Sequence, residues 1–174
     1  MSHDHKPYLP QETARIEAAG GTVAMRRVNG DLAVSRALGD FTYKQSKNLK
    51  PEAQQVSAEP EFIIQERNKD TDQYLVLACD GIWDVMTNQD VATFVVRKTE
   101  DGIDNLGTLA ENLIDEGLIR NSRDNMSAII VGFPAAPHPT PEAIAAYQAR
   151  LAQLQKEKAE SNLNGGGEEE EDNE

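Results

Sequence analysis

A single cysteine, Cys79, stands in 174 residues, so no disulfide can staple this chain internally, and cytosol or nucleus is the expected compartment. Inside an apolar run, that cysteine reads as a small core residue. Aromatics are as scarce, with one Trp, four Tyr and four Phe, which leaves the core to aliphatic side chains. Positive charge is short too. Against 30 acidic residues there are 17 Lys and Arg; the net charge is −13, of which residues 168–174 carry six, leaving −7 on the rest. That balance argues against nucleic acid or an anionic membrane as a partner. No apolar run approaches membrane-spanning length, and Met1 is followed by polar residues rather than a signal peptide.

What is present is concentrated in two places. Leu75-Val76-Leu77-Ala78-Cys79 has the pattern of a buried strand and delivers Asp80-Gly81 at its end, with Asp84 one helical turn further on. Ser122-Arg123-Asp124-Asn125-Met126-Ser127 runs into Ala128-Ile129-Ile130-Val131-Gly132-Phe133, a second such strand with an aspartate at its entrance. If the two strand ends share one sheet edge, their carboxylates can share a hard divalent cation, which prefers oxygen ligands.

Around these blocks the chain alternates short elements. A helix is expected over residues 11–19, stopped by Gly20-Gly21, and a hairpin over 22–28 and 31–35 about Asn29-Gly30. Residues 42–58 show no period and read as a long functional or mobile loop. Strands follow over 61–67 and 73–79. Then come a helix capped by Asn88 and running to Lys98, a helix over 105–120, and a strand over 126–133. Short turns between strands favour antiparallel pairing, hence an α+β layered domain over residues 1–133. Residues 134–163 form a Pro/Ala linker and an amphipathic helix opened by Thr140-Pro141-Glu142, with Ile144, Tyr147, Leu151 and Leu154 in a narrow stripe. Residues 164–174, glycines and acids, read as a disordered acidic tail.

Four blocks in order resemble the PPM (type 2C) family of metal-dependent protein serine/threonine phosphatases. They are Asp4-His5-Lys6-Pro7, the run from Arg27 to Phe41 containing Ser35-Arg36-Ala37-Leu38-Gly39-Asp40, then Ala78-Cys79-Asp80-Gly81-Ile82-Trp83-Asp84 and Ser122-Arg123-Asp124-Asn125-Met126-Ser127. The resemblance implies an incomplete four-layer α-β-β-α sandwich of antiparallel sheets, because the family's Asp-Gly-His-Gly-Gly and Gly-Asp-Ser-Arg blocks are absent. The chain looks like the C-terminal half of a phosphatase domain. By the same resemblance, Asp80 and Asp124 match carboxylate ligands of Mg²⁺ or Mn²⁺, two ions per complete site, and Asp84 matches a residue near a looser third ion. Arg27 occupies the place of an arginine near the cleft. In a complete site the metals activate a bound water for attack on phosphorus, so no nucleophilic side chain is required.

Each residue also has a plainer reading. Asp80 can cap the helix that follows it, Asp124 can make an Asx turn, and Asp84 can be a solvated first-turn carboxylate. Arg27 can be a surface cation beside Arg26, Arg36 and Asp40 a structural ion pair, and Trp83 core packing. His3-Asp4-His5 also looks like a loose metal clamp. Two functions stand side by side: a phosphatase acting on phosphoserine and phosphothreonine proteins, and a non-catalytic phosphatase-like interaction protein. Two ligands and a third candidate are too few for a two-metal site, and exposed carboxylates hold Mg²⁺ weakly. Little activity is therefore expected from these residues alone, and a complementary N-terminal half is the expected partner. The missing strands should leave apolar faces and unpaired edges open.

Overall fold

A computed structural model describes residues 2–164, which fall into two compact units divided between Glu66 and Arg67. The acidic tail expected over 164–174 lies, from residue 165 on, outside the described residues.

The first unit opens with helix α1, Pro10–Ala18, started by a proline whose missing N–H costs nothing in the first turn. Its end is a Schellman motif. Gly20, at φ +78°, donates to Glu17 O, and Gly21 donates to Ile16 O, both at 2.9 Å. Strands β1, Val23–Ala24, and β2, Arg27–Val28, pair antiparallel with Val23 opposite Val28. The reversal between them falls on Met25 and Arg26, both at positive φ, not on Asn29-Gly30. Asn29-Gly30 makes a second turn, closed by Asp31 N–H donating to Val28 O at 2.9 Å, and beyond it pairing shrinks to the single bridge Val28–Leu32. The strand expected over 31–35 is not formed.

Ile16, Val28 and Val56 make this unit's small core, with Val23, Leu32, Ala37 and Tyr43 against it. Beside it lies a buried carboxylate. Glu12, 2% exposed, takes a fork of hydrogen bonds from Arg36 and an ion pair at 2.8 Å from Arg15. The pairing expected of Arg36 with Asp40 is thus replaced. Arg36 reaches back 24 residues to Glu12, while Asp40 takes a left-handed backbone before a short 3₁₀ turn, Phe41–Tyr43. The loop over 42–58 is stitched from inside: buried Gln54 donates to Ser46 O at 2.8 Å and Leu49 O at 3.1 Å and accepts from Ser46 N–H at 3.1 Å.

The strand expected over 61–67 is a correction as well. Among the described residues that segment pairs with nothing, and Phe62 and Ile64 stand 79% and 94% exposed. An alternating apolar pattern makes a strand only where a neighbour satisfies its backbone groups.

The second unit is built on one antiparallel pair, β3, Tyr74–Ala78, and β4, Ala128–Gly132. Between them run a single helical turn, α2, Asp80–Trp83, and two longer helices, α3, Asn88–Glu100, and α4, Leu106–Ile119. Helix α3 is capped by Thr87, one residue before the expected Asn88, because Thr87 and Asp90 form a reciprocal capping box. Asn105 caps α4, its Oδ1 accepting from Thr108 N–H at 3.0 Å.

Two apolar clusters lie under the helices. Ile82, Met86, Val91 and Leu113 form one, with half-buried Trp83 packed on it; Val95, Ile103, Leu109 and Ile130 form the other. Val76 and Ile130 face these clusters. Their neighbours do not. Leu75 opposite Val131, and Leu77 opposite Ile129, share the other face, and all four are exposed. The two runs with a buried-strand pattern are thus buried on one face, and the other is an open apolar face. Helix α5, Pro141–Asn164, is capped by Thr140, and its Tyr147 packs against the second of these clusters. Gly102, at φ +106°, admits the Ala143 carbonyl where any Cβ would collide.

The antiparallel α+β expectation is met, with two sheets of two strands each among the described residues.

Candidate active site

The ladder of β3 and β4 runs so that Ala78 at the end of one strand faces Ala128 at the start of the other. Asp80, two residues past β3, and Asp124, four residues before β4, therefore sit at the same edge of the sheet. Cys79 extends the pairing by one rung. Its N–H donates to Ser127 O at 3.2 Å, its Sγ accepts from Ser127 N–H at 3.2 Å, and its thiol reaches Asn125 O at 3.1 Å. Hydrogen bonding from Ser127 holds that thiol below its ordinary pKa. Cys79 is thus a half-buried fastener of the loop that carries Asp124, not the core residue expected.

Gly81 is the second fastener. A Cβ there would collide with the Asn125 carbonyl and come within 2.8 Å of Met126 Cγ, so only glycine lets the 121–127 loop cross the start of α2. Ser122 locks the crossing: its Oγ donates to Gly81 O at 2.6 Å and its N–H to Gly117 O at 2.9 Å. Asp124 closes its own turn, with Oδ1 accepting from Asn125 N–H at 2.7 Å. That contact is to the next residue rather than two residues on, so it is not the Asx turn expected of Asp124, and it leaves the second carboxylate oxygen open.

Asp84 follows one turn after Asp80, its N–H donating to Asp80 O at 2.8 Å, and ends α2 rather than sitting in its first turn. Gly81, Asp84, Val85, Asn121, Ser122, Arg123 and Asp124 line an open cavity of about 510 Å³. Asp80, Asp84 and Asp124 are all exposed. Trp83 packs as expected and donates from Nε1 to Ala78 O at 2.8 Å, tying α2 back to β3.

Arg27 belongs to the first unit, where its guanidinium donates to Asp31 O. His3 and His5 do not form the metal clamp that their spacing suggested; each ring takes a different oxygen of Glu61, at 3.3 and 3.0 Å. Arg123 is the site residue that the sequence reading passed over, and Cys79 the one that it read only as core packing. Their only signal was position inside the two blocks that carry the aspartates.

Carboxylates are the right donors for Mg²⁺ or Mn²⁺. Their number falls short, since among the described residues no three His, Cys, Asp or Glu side chains are grouped so as to hold a metal ion.

The chain is similar to known proteins in both sequence and fold. A family model described as Protein phosphatase 2C matches residues 1–126. Protein phosphatase ppm-1.A of Caenorhabditis elegans is 51% identical over 136 residues, 78% of this chain and 29% of that protein. Human Protein phosphatase 1A is 49% identical over 144 residues, 83% of this chain and 37% of that protein. Among solved structures, a phosphatase from a pathogenic strain of Toxoplasma gondii superposes with a TM-score of 0.68 at 38% identity, covering 76% of this chain and 41% of that one. A C. elegans sex determining protein gives 0.63 at 28% identity, with 84% of this chain and 34% of the other covered. The chain spans well under half the length of these curated relatives.

Proposed function

The chain belongs to the protein phosphatase 2C family, and on that premise we propose that it supplies part of the metal-dependent site of a protein serine/threonine phosphatase. The observation that carries the reading is the edge shared by Asp80 and Asp124, held by the Cys79–Ser127 and Gly81–Asn125 contacts. Asp80 and Asp124 would hold Mg²⁺ or Mn²⁺, with Asp84 nearby for a looser ion; such an ion activates water and neutralises phosphoryl charge. The substrates are phosphoserine and phosphothreonine proteins, met in cytosol or nucleus.

The shortage of ligands shapes the rest. With no three-ligand group among the described residues, the remaining donors come from a complementary N-terminal half. Its strands would cover Leu75, Leu77, Ile129 and Val131 and complete a four-layer sandwich; burying apolar surface between stacked sheets is strongly favourable. The same open face favours a second reading, a phosphatase-like protein that binds partners without turnover.

The test is Mn²⁺-dependent hydrolysis of a phosphothreonine peptide by the chain, alone and with the corresponding N-terminal half of a relative, with Asp80→Asn as control. Little turnover alone, and turnover on mixing that Asp80→Asn abolishes, is the expected result. Mixed activity indifferent to Asp80→Asn would overturn the assignment, and inactivity of the mixture despite complex formation would favour the second reading.

A further inference from the structure

One basic side chain stands in the cavity itself. Arg123 lines it together with Asp84 and Asp124 and is exposed. The neighbouring Arg120 is occupied: it pairs with Glu116 at 2.8 Å and lies 3.8 Å from Asp90. Arg123 has no carboxylate within ion-pairing distance among the described residues, although aspartates share its cavity.

The backbone beneath it is fixed on both sides. Asn121 takes a left-handed conformation at φ +65°, Ser122 is tied to Gly81 O and Gly117 O, and Asp124 turns one oxygen to its own loop at Asn125 N–H. The result is a free guanidinium on an anchored loop, facing the same space as the carboxylates. A guanidinium presents a planar fork of donors that matches two oxygens of a phosphate, and it cannot lose its proton at any ordinary pH. Beside aspartates, it is also the group that offsets their repulsion of an incoming anion.

We propose that Arg123 is a substrate-binding residue that receives the phosphate monoester of a phosphoserine or phosphothreonine segment. This rests on the phosphatase reading and adds to it a phosphate contact on the loop that carries Asp124.

The test is a fluorescence-anisotropy titration of the full chain, with Mn²⁺ present, against a phosphothreonine peptide and its unphosphorylated twin. Wild type, Arg123→Gln, Arg123→Lys and Asp80→Asn are compared, with circular dichroism to confirm equal folding. Wild type should prefer the phosphopeptide, Arg123→Gln should lose about tenfold of that preference, and Arg123→Lys should keep part of it as a point charge without the fork. A merely structural role would not distinguish lysine from glutamine in this way. An undiminished preference in Arg123→Gln, or no preference in wild type, overturns the proposal. Binding of Mn²⁺, followed separately by electron paramagnetic resonance, reports on the underlying reading: its loss in Asp80→Asn, together with an undiminished phosphopeptide preference in Arg123→Gln, would sink the arginine role alone.

Discussion

The two units of this chain solve the same problem with opposite materials. The first has two strands of two residues each and three fully buried aliphatic side chains, and sets a carboxylate held by two arginines beside them. The second has a five-residue strand pair under two helices and two clusters of four buried apolar side chains. A core of aliphatic contacts is indifferent to protonation and sensitive to lost volume. A core that depends on an ion-pair network responds the other way round, because removing one charge leaves its partner buried and unpaired. The candidate site sits in the apolar unit, where the loop carrying Asp124 is anchored on a helix-backed sheet.

The sharpest way to test that contrast is Leu113→Ala. Leu113 is fully buried between α4 and the Ile82 cluster, and its truncation should cost about 2–5 kcal/mol. Denaturant unfolding would show the loss, and amide exchange should place it in α3, α4 and the strands. No measurable change would mean that the helices do not pack on the sheet as described.

Acid should act on the other unit. The hydrogen bonds and charges of Arg36 and Arg15 outweigh burial and lower the Glu12 pKa from 4.5 to about 2. A depressed carboxylate contributes stability above its unfolded value, so the contribution is complete above about 4.5 and fades as pH falls toward about 2. Protection of the α1 amides should drop through that window in wild type and stay flat in Glu12→Gln. Equal pH profiles for the two proteins would remove the network from the account.

The smallest effect expected is Asn105→Ala, which removes the cap of α4 and should cost about 1 kcal/mol. It should fray only the first turn of α4, visible as faster exchange there and nowhere else.

Some of this was legible in the residues and some was not, for physical reasons. An apolar run ending in Asp-Gly is readable because strand patterning is a local fact, whereas the shared edge of Asp80 and Asp124, stated from sequence only as a condition, needed the pairing of β3 with β4, and the close crossing at Gly81 is made by residues more than 40 positions away. The partner of Arg36 was not readable, because a carboxylate 24 residues away carries no mark linking it to one arginine rather than another. The hairpin slipped for a different reason. Met25 and Arg26 take the left-handed conformations usually left to Asn and Gly, while Asn29-Gly30 turns a chain whose continuation finds almost nothing to pair with. Phe62 to Ile64 failed in the same way, since a strand's existence depends on a neighbour that its own pattern does not contain. Arg123 went unnoticed because a lone exposed arginine acquires meaning only from the cavity around it.

The contact of Gly81 with Asn125 has a consequence in time. Asp80 and Asp124 are brought to one edge by two strands with α2, α3 and α4 between them in the chain. Such high-contact-order pairings must wait for the intervening loop to close. During synthesis the strand that ends at Ala78 leaves the ribosome well before its mate, and its backbone N–H and C=O groups stay unpaired until β4 arrives. The edge that carries Asp80 and Asp124 is therefore among the last features of the second unit to assemble, and a nascent chain halted before Ala128 would carry Asp80 without its counterpart.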